Sequence, residues 1–260
     1  MKKILISFTI LLVSMFVVKS SYADDFTEAI MKAKNHYKEA SDKNDISSLA
    51  KIRGEFERIL QLKKNQWLVN YYLADIDFMM SYDAMEKKDN DAVKKYTQSA
   101  LDLLDKSTEL KDDFAEAYIL KMAVQSNRWM YEMDKMNDII AKQAEAKDKA
   151  KQLEPENPRF YLIDGMNLYY TPESFGGGPD VALPLFQKSY EYFQTFKPKD
   201  ETMPDWGYDL AAGMISLCMI KKDNMDEAKK YLDKALEINP NSGFVKANVQ
   251  SEYDKKVNNK

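Results

Sequence analysis

The chain has 260 residues, with 38 Lys and Arg against 42 Asp and Glu, a formal net charge of −4, and 45% hydrophobic residues. A length of this order supports one or two cores. The mildly acidic balance, without a long basic run, argues against a nucleic-acid or anionic-lipid surface, and a lone cysteine, Cys218, excludes an intramolecular disulfide. At the N-terminus a basic start, Met1-Lys2-Lys3, precedes an apolar run from Ile4 to Val18. Ser21 and Ala23 then supply small residues at the −3 and −1 positions of a cleavage site. This layout predicts a secretory signal peptide over residues 1–23, too short in its apolar part for a membrane span. No Cys near the cut could carry a lipid anchor. Cleavage removes three lysines, leaving 237 residues and a formal charge of −7. The expected location is the periplasm or the medium, with no membrane insertion after cleavage.

The remainder is rich in helix formers and has only eight Pro and eight Gly. Apolar residues recur at helical spacing, as in Ile52, Phe56, Ile59 and Leu60, and again in Tyr231, Leu232, Ala235 and Leu236. Runs of Val and Ile that would indicate strands are missing. The pattern predicts helix pairs at 25–41 with 46–63, 66–87 with 90–110, 114–132 with 136–153, 158–170 with 179–196, and 204–221 with 225–238. A polar helix over 243–256 is expected to cap the array, because a solenoid otherwise exposes an apolar end face.

The last pair shows the repeat most clearly. From Ser216 the steps to Ala228, Leu232, Ala235 and Pro240 are 12, 4, 3 and 5 residues. Small residues let two antiparallel helices approach, a large one fills the gap, and proline ends the second helix. The 4 and 3 steps recur at Ala182, Phe186 and Ser189, with Gly165 in the preceding helix, and at Ala100, Leu104 and Ser107. Ala150 with Pro155 and Ile52 with Phe56 and Ile59 give more degenerate units. These spacings match the tetratricopeptide pattern. The implied fold class is all-α: a right-handed α-solenoid of tetratricopeptide-like antiparallel helix hairpins with a C-terminal capping helix, in one domain over 24–260 with about five helix pairs.

The segment Tyr169-Tyr170-Thr171-Pro172-Glu173, then Phe175-Gly176-Gly177-Gly178, followed by Ala182-Leu183 and Phe186, resembles exported bacterial tetratricopeptide proteins that carry a YYTPE-x-FGGG stretch. It is more loosely similar to periplasmic repeat proteins associated with TRAP-type solute transporters. The resemblance implies fold and compartment more than function. By the repeat template, Thr171–Gly178 is an insertion in a helix hairpin. Pro172 ends the first helix, Pro179 suits the first position of the next, and Phe175 is expected to tuck back under the loop. Gly176, Gly177 and Gly178 read as a structural tight loop, since no Lys-Ser/Thr follows and no strand precedes.

Catalytic constellations are missing. His36 is the only His and lies among lysines on a helical run, so zinc sites and His-dependent triads lack partners. Asp75 and Asp77 are two residues apart and point to different helix faces. Glu173 and Asp180 fit capping or salt-linked roles, and Cys218 lies in an apolar stretch as a buried, inert thiol. No catalytic residue, metal or cofactor is expected. First helices of such repeats line a concave face, and by repeat phase Tyr71, Asp75, Phe78, Met166, Tyr169 and Tyr170 point toward it, with Phe175 at its edge. These residues, aromatic and Met with a few polar groups, suit a protein or peptide segment. The alternative reading is a transporter-associated helper with a small-molecule cavity. The partner's identity and the oligomeric state are not legible.

Overall fold

The computed structural model describes residues 25–258; the expected signal peptide over 1–23 lies outside the described residues. Within them the chain is helical, with no strand. In order come α1 (Asp25–Asp42), α2 (Leu49–Leu60), α3 (Gln66–Glu86), α4 (Asn90–Leu110), α5 (Ala115–Asn127) and α6 (Met136–Leu153). They are followed by α7 (Pro158–Tyr170), α8 (Pro179–Phe193), α9 (Tyr208–Lys221) and α10 (Met225–Ile238). A π-helical turn, Val245–Gln250, leads into α11 (Ser251–Asn258). Among the described residues no helix is long and apolar enough to cross a membrane.

Local chemistry sets the helix ends. The side chains of Asp89, Asn157 and Asn224 accept from backbone N–H groups of α4, α7 and α10, satisfying donors that the first turn leaves without partners. Pro158 and Pro179 open α7 and α8, where the missing N–H costs nothing. Consecutive helices then pair as hairpins: α3 with α4, α5 with α6, α7 with α8, and α9 with α10.

The small repeat positions do more than make room. Ser107 Oγ donates to the Trp67 carbonyl at 2.8 Å, Ser189 Oγ to the Pro158 carbonyl at 2.8 Å, and Ser216 Oγ to the Ala228 carbonyl at 2.7 Å. Each bond ties one helix of a pair to the backbone of the other. Gly165 leaves the space that Phe186 fills: a Cβ there would lie 2.6 Å from the ring. Val245 and Val249 pack on Gly213, which closes the C-terminal end of the array against α9.

Two features that the repeat pattern did not reveal position the site. First, the array curls until its ends meet. Asn239 Nδ2 donates to Asp42 Oδ1 at 2.8 Å, and Gly243 sits against the carbonyls of Ser41 and Asp42. Second, the 14 residues between Phe193 and Tyr208 cross the concave face. Lys34 Nζ, on α1, donates to the carbonyls of Glu201 (2.8 Å) and Met203 (2.7 Å) and pairs with Asp205 at 3.0 Å. Tyr72 Oη donates to the Thr202 carbonyl at 2.6 Å, and Trp206 Nε1 donates to Tyr71 Oη at 3.1 Å. Met203 and Trp206 pack into the core beneath. Residues 204–207, expected in a helix, belong to this crossing segment instead. The left-handed backbone at Gly207 (φ 109°) turns the chain out of the crossing and into α9, which starts at Tyr208.

Candidate partner-binding site

Helices α3, α5 and α7 line the inside of the curl with their C-terminal ends at one mouth, and the sequence-selected residues fall at different depths along them. Tyr71 and Asp75 lie deepest, 0% and 7% exposed. Both were expected to face the concave groove. The crossing segment and Tyr37 of α1 cover them, so neither side chain lies on the accessible surface. The Asp75 carboxyl is pushed up to about 7, chiefly by burial, with Glu116 adding to the rise and the Tyr37 hydroxyl bond and Arg159 opposing it. Asp77, on another face of α3, accepts from Arg53 and from Ser99.

One level up, a belt of side-chain hydrogen bonds joins the three helices. Asn127 Nδ2 donates to Ser81 Oγ at 2.7 Å, Ser126 Oγ donates to Asn167 Oδ1 at 2.8 Å, and Gln143 Nε2 donates to Ser126 Oγ at 2.7 Å. These bonds hold α3, α5 and α7 at a fixed spacing, which matters for anything built on their ends.

Above the belt the mouth is aromatic. Phe78, just below the belt, is buried and meets Tyr82 edge-on, centroids 4.9 Å apart; Tyr169 meets Tyr170 edge-on at 5.1 Å. Tyr82 (45% exposed) and Tyr170 (65%) are accessible. Met166 is half-buried below them, packed against both halves of the core. The surrounding protein desolvates the phenols even where solvent reaches them. Burial pushes the Tyr82 hydroxyl up to about 12, with Tyr170 contributing, and pushes Tyr169 up to about 12, with Cys218 and Tyr170 contributing. These groups are neutral at physiological pH, able to stack and to exchange hydrogen bonds. Of the sequence-selected residues, Phe78 backs Tyr82, Tyr169 backs Tyr170 and also leans on Phe186 of α8, and Met166 packs below. Tyr82 was missed, although its position four residues after Phe78 puts it on the same stripe of α3.

The loop after α7 borders this mouth. A single helical turn, Glu173–Phe175, is followed by Gly176 at φ 81° and Gly178 at φ 103°. Gly177 passes so close to the Thr171 carbonyl that a Cβ would lie 2.1 Å from it, and the Gly178 N–H donates to the Leu168 carbonyl at 2.8 Å. The loop is self-bonded through its backbone. Phe175 does not tuck under it: the side chain is 81% exposed, and the inside of the turn is taken by Thr171 and Glu173, packed against Gly177 and Gly178.

The groups set aside on sequence have structural partners. His36 Nδ1 lies 2.8 Å from Glu55 Oε2. Cys218 is buried, which pushes its thiol up to about 12. Asp180 pairs with Lys222 rather than with Glu173. Among the described residues no group of three His, Cys, Asp or Glu could hold a metal ion. Two open clefts, of about 510 and 630 Å³, lie on the terminal helix and at the seam between α1 and residues 241–247. Their linings are mostly Lys, Asp, Asn and Gln, and none of the mouth aromatics is among them.

No protein-family model matches the chain, and no curated protein matches it. Solved structures do. A haemophore of Porphyromonas gingivalis, HusA, is 22% identical over 78% of this chain and 96% of its own, with a TM-score of 0.64. TTC0263, a thermophilic TPR protein of Thermus thermophilus, is 13% identical over 87% of this chain and 98% of its own, with a TM-score of 0.60. At these identities the likeness concerns the fold, which is all-α and TPR-like.

Proposed function

We propose that the chain is a non-enzymatic binding protein, exported by its N-terminal signal, that takes a protein or peptide segment at the aromatic mouth rather than along the length of the concave face. TPR-like folds are suited to scaffolding protein interactions. The observation that carries the placement is that Tyr82 and Tyr170, at the ends of α3 and α7, stay accessible above a hydrogen-bonded belt that fixes those helices. Rigid aromatic side chains on fixed helices bind apolar segments with little entropy cost, whereas the deeper groove is already occupied by residues 200–206.

A second reading is a planar aromatic ligand, the class to which the haem of a haemophore belongs. The two edge-on ring pairs, Phe78 with Tyr82 and Tyr169 with Tyr170, favour it. One pair of measurements separates the two. Selection from a displayed peptide library should enrich binders whose affinity falls at least tenfold, about 1.4 kcal/mol, on the double variant Tyr82→Ser/Tyr170→Ser, with melting within a few degrees of the parent. Titration with haemin, followed in the Soret band, should show no saturable site. Peptides that bind the double variant equally well would reject the mouth, and a saturable haemin site lost in the double variant would move the assignment to the planar ligand.

A further inference from the structure

From α3 onward successive helices alternate in direction, which puts the turn inside each pair on one edge of the array. The α3–α4 turn, the α5–α6 connection, the α7–α8 loop, the α9–α10 turn and the end of α11 therefore form a single rim around the mouth. Ion pairs link neighbouring parts of it: Lys222 with Asp180 at 2.5 Å, and Lys256 with Asp223 at 3.4 Å. Exposed large apolar side chains concentrate there. Tyr82, Met130, Met133, Met136, Ile140, Tyr170, Phe175, Val181 and Val257 are on or next to the rim, while Leu62 and Leu110 lie on the opposite edge. Among the described residues, a scatter of surface apolar side chains would not place nine of eleven on one edge. Three of the nine are methionines, whose unbranched thioethers adapt to varied partners.

Charge has the same distribution. The rim segments 82–91, 128–140, 170–181, 221–227 and 252–258 hold fourteen Asp and Glu against eight Lys and Arg, a net −6, where the entire chain nets −4. The apolar strip thus runs through the negative field of the molecule, and an anionic partner or anionic membrane would be repelled along its length.

We infer that the rim takes a cationic amphipathic segment of another protein, its apolar face against Met130, Met133, Tyr170 and Phe175 and its Lys or Arg residues toward the flanking carboxylates. This deepens the reading above and rests on it, since the mouth is the centre of the rim. Apolar anchors supply the affinity, and opposite charge selects the partner and speeds encounter.

Three synthetic probes test it by fluorescence polarisation: an amphipathic helix with Leu and Trp on one face and Lys on the other, the same peptide with Glu for Lys, and a Lys-Ser peptide of equal charge without an apolar face. Only the first should bind, and its affinity should fall as salt is raised. Met130→Ser/Met133→Ser should weaken it about tenfold, as should Glu86→Lys/Asp134→Lys/Asp226→Lys; all five positions are exposed, so folding is expected to survive. Equal binding of the Lys and Glu helices would overturn the charge assignment, and equal binding of the Lys-Ser peptide would overturn the apolar one. If library-selected peptides need Tyr82 and Tyr170 while the cationic helix does not bind, this inference fails and the mouth stands. If no peptide depends on Tyr82 and Tyr170, the broader reading fails.

Discussion

Replacing Arg159 with alanine is expected to cost roughly 3–5 kcal/mol, or roughly 6–20 °C in melting temperature for a chain of this size. Arg159 is 1% exposed and carries three duties. Its Nε and Nη2 donate to the two carboxylate oxygens of Glu116, at 2.8 and 2.5 Å, in a bidentate pair. Its Nη1 donates to the Trp206 carbonyl at 3.1 Å, which anchors the crossing segment. Its guanidinium lies over the Phe196 ring at 4.8 Å and the Trp206 ring at 5.7 Å. Truncation would leave Glu116, itself buried, with only the Asn157 amide at 2.7 Å as a partner. The size of the loss therefore comes mostly from an uncompensated buried charge rather than from the worth of the pair. Arg159→Met combined with Glu116→Leu should recover a substantial part, since no charge is then stranded. Thermal melts of the single and double variants check this; an Arg159→Ala protein melting within about 2 °C of the parent, under 1 kcal/mol, contradicts it.

Asp75→Asn should stabilise the protein above neutral pH, by an amount on the order of 4 kcal/mol, and do little near pH 4. The folded-state value of Asp75, about 7, lies above the unfolded value of about 3.9. The folded state therefore binds a proton that the unfolded state has released. The contribution is fully present below about pH 4 and is lost as pH rises through 7, because the carboxylate must then ionise without water around it. Asparagine keeps an acceptor for the Tyr37 hydroxyl and never ionises. Urea midpoints between pH 5 and 8.5 should accordingly fall more steeply for the parent than for the variant. Parallel curves would mean that Asp75 is solvated and that the crossing segment does not seal it.

The helix pairs were legible because their determinants are local. Spacing of apolar residues, capping Asp and Asn, and Pro158 and Pro179 at first positions act within a turn or two of the residues they govern. The Ser107, Ser189 and Ser216 positions were legible as small residues, though their bonds to facing backbone were not. What sequence did not reveal depends on distant partners. The crossing segment is held by Lys34, Tyr71, Tyr72 and Arg159, each far from it along the chain. Its one local sign is length: 14 residues between α8 and α9, where four join α6 to α7. Once it fills the concave face, repeat phase no longer tells which inward residues are accessible. Phase alone gave Tyr71 and Phe78 equal standing, and depth separates them: Tyr71 is sealed, and Phe78 backs Tyr82 at the mouth. Phe175 was misread for the opposite reason, since Thr171 and Glu173 take the inside of its own short loop.

Hydrogen exchange of the protein with and without a library-selected peptide tests the placement of the site most directly. Binding at the mouth predicts added protection at the ends of α3, α5 and α7 and in 171–178, with no change in residues 200–206 or in the stretch of α1 around Lys34. Faster exchange in 200–206 and around Lys34 on peptide addition would mean that the partner displaces the crossing segment and enters the groove beneath it, contradicting the account.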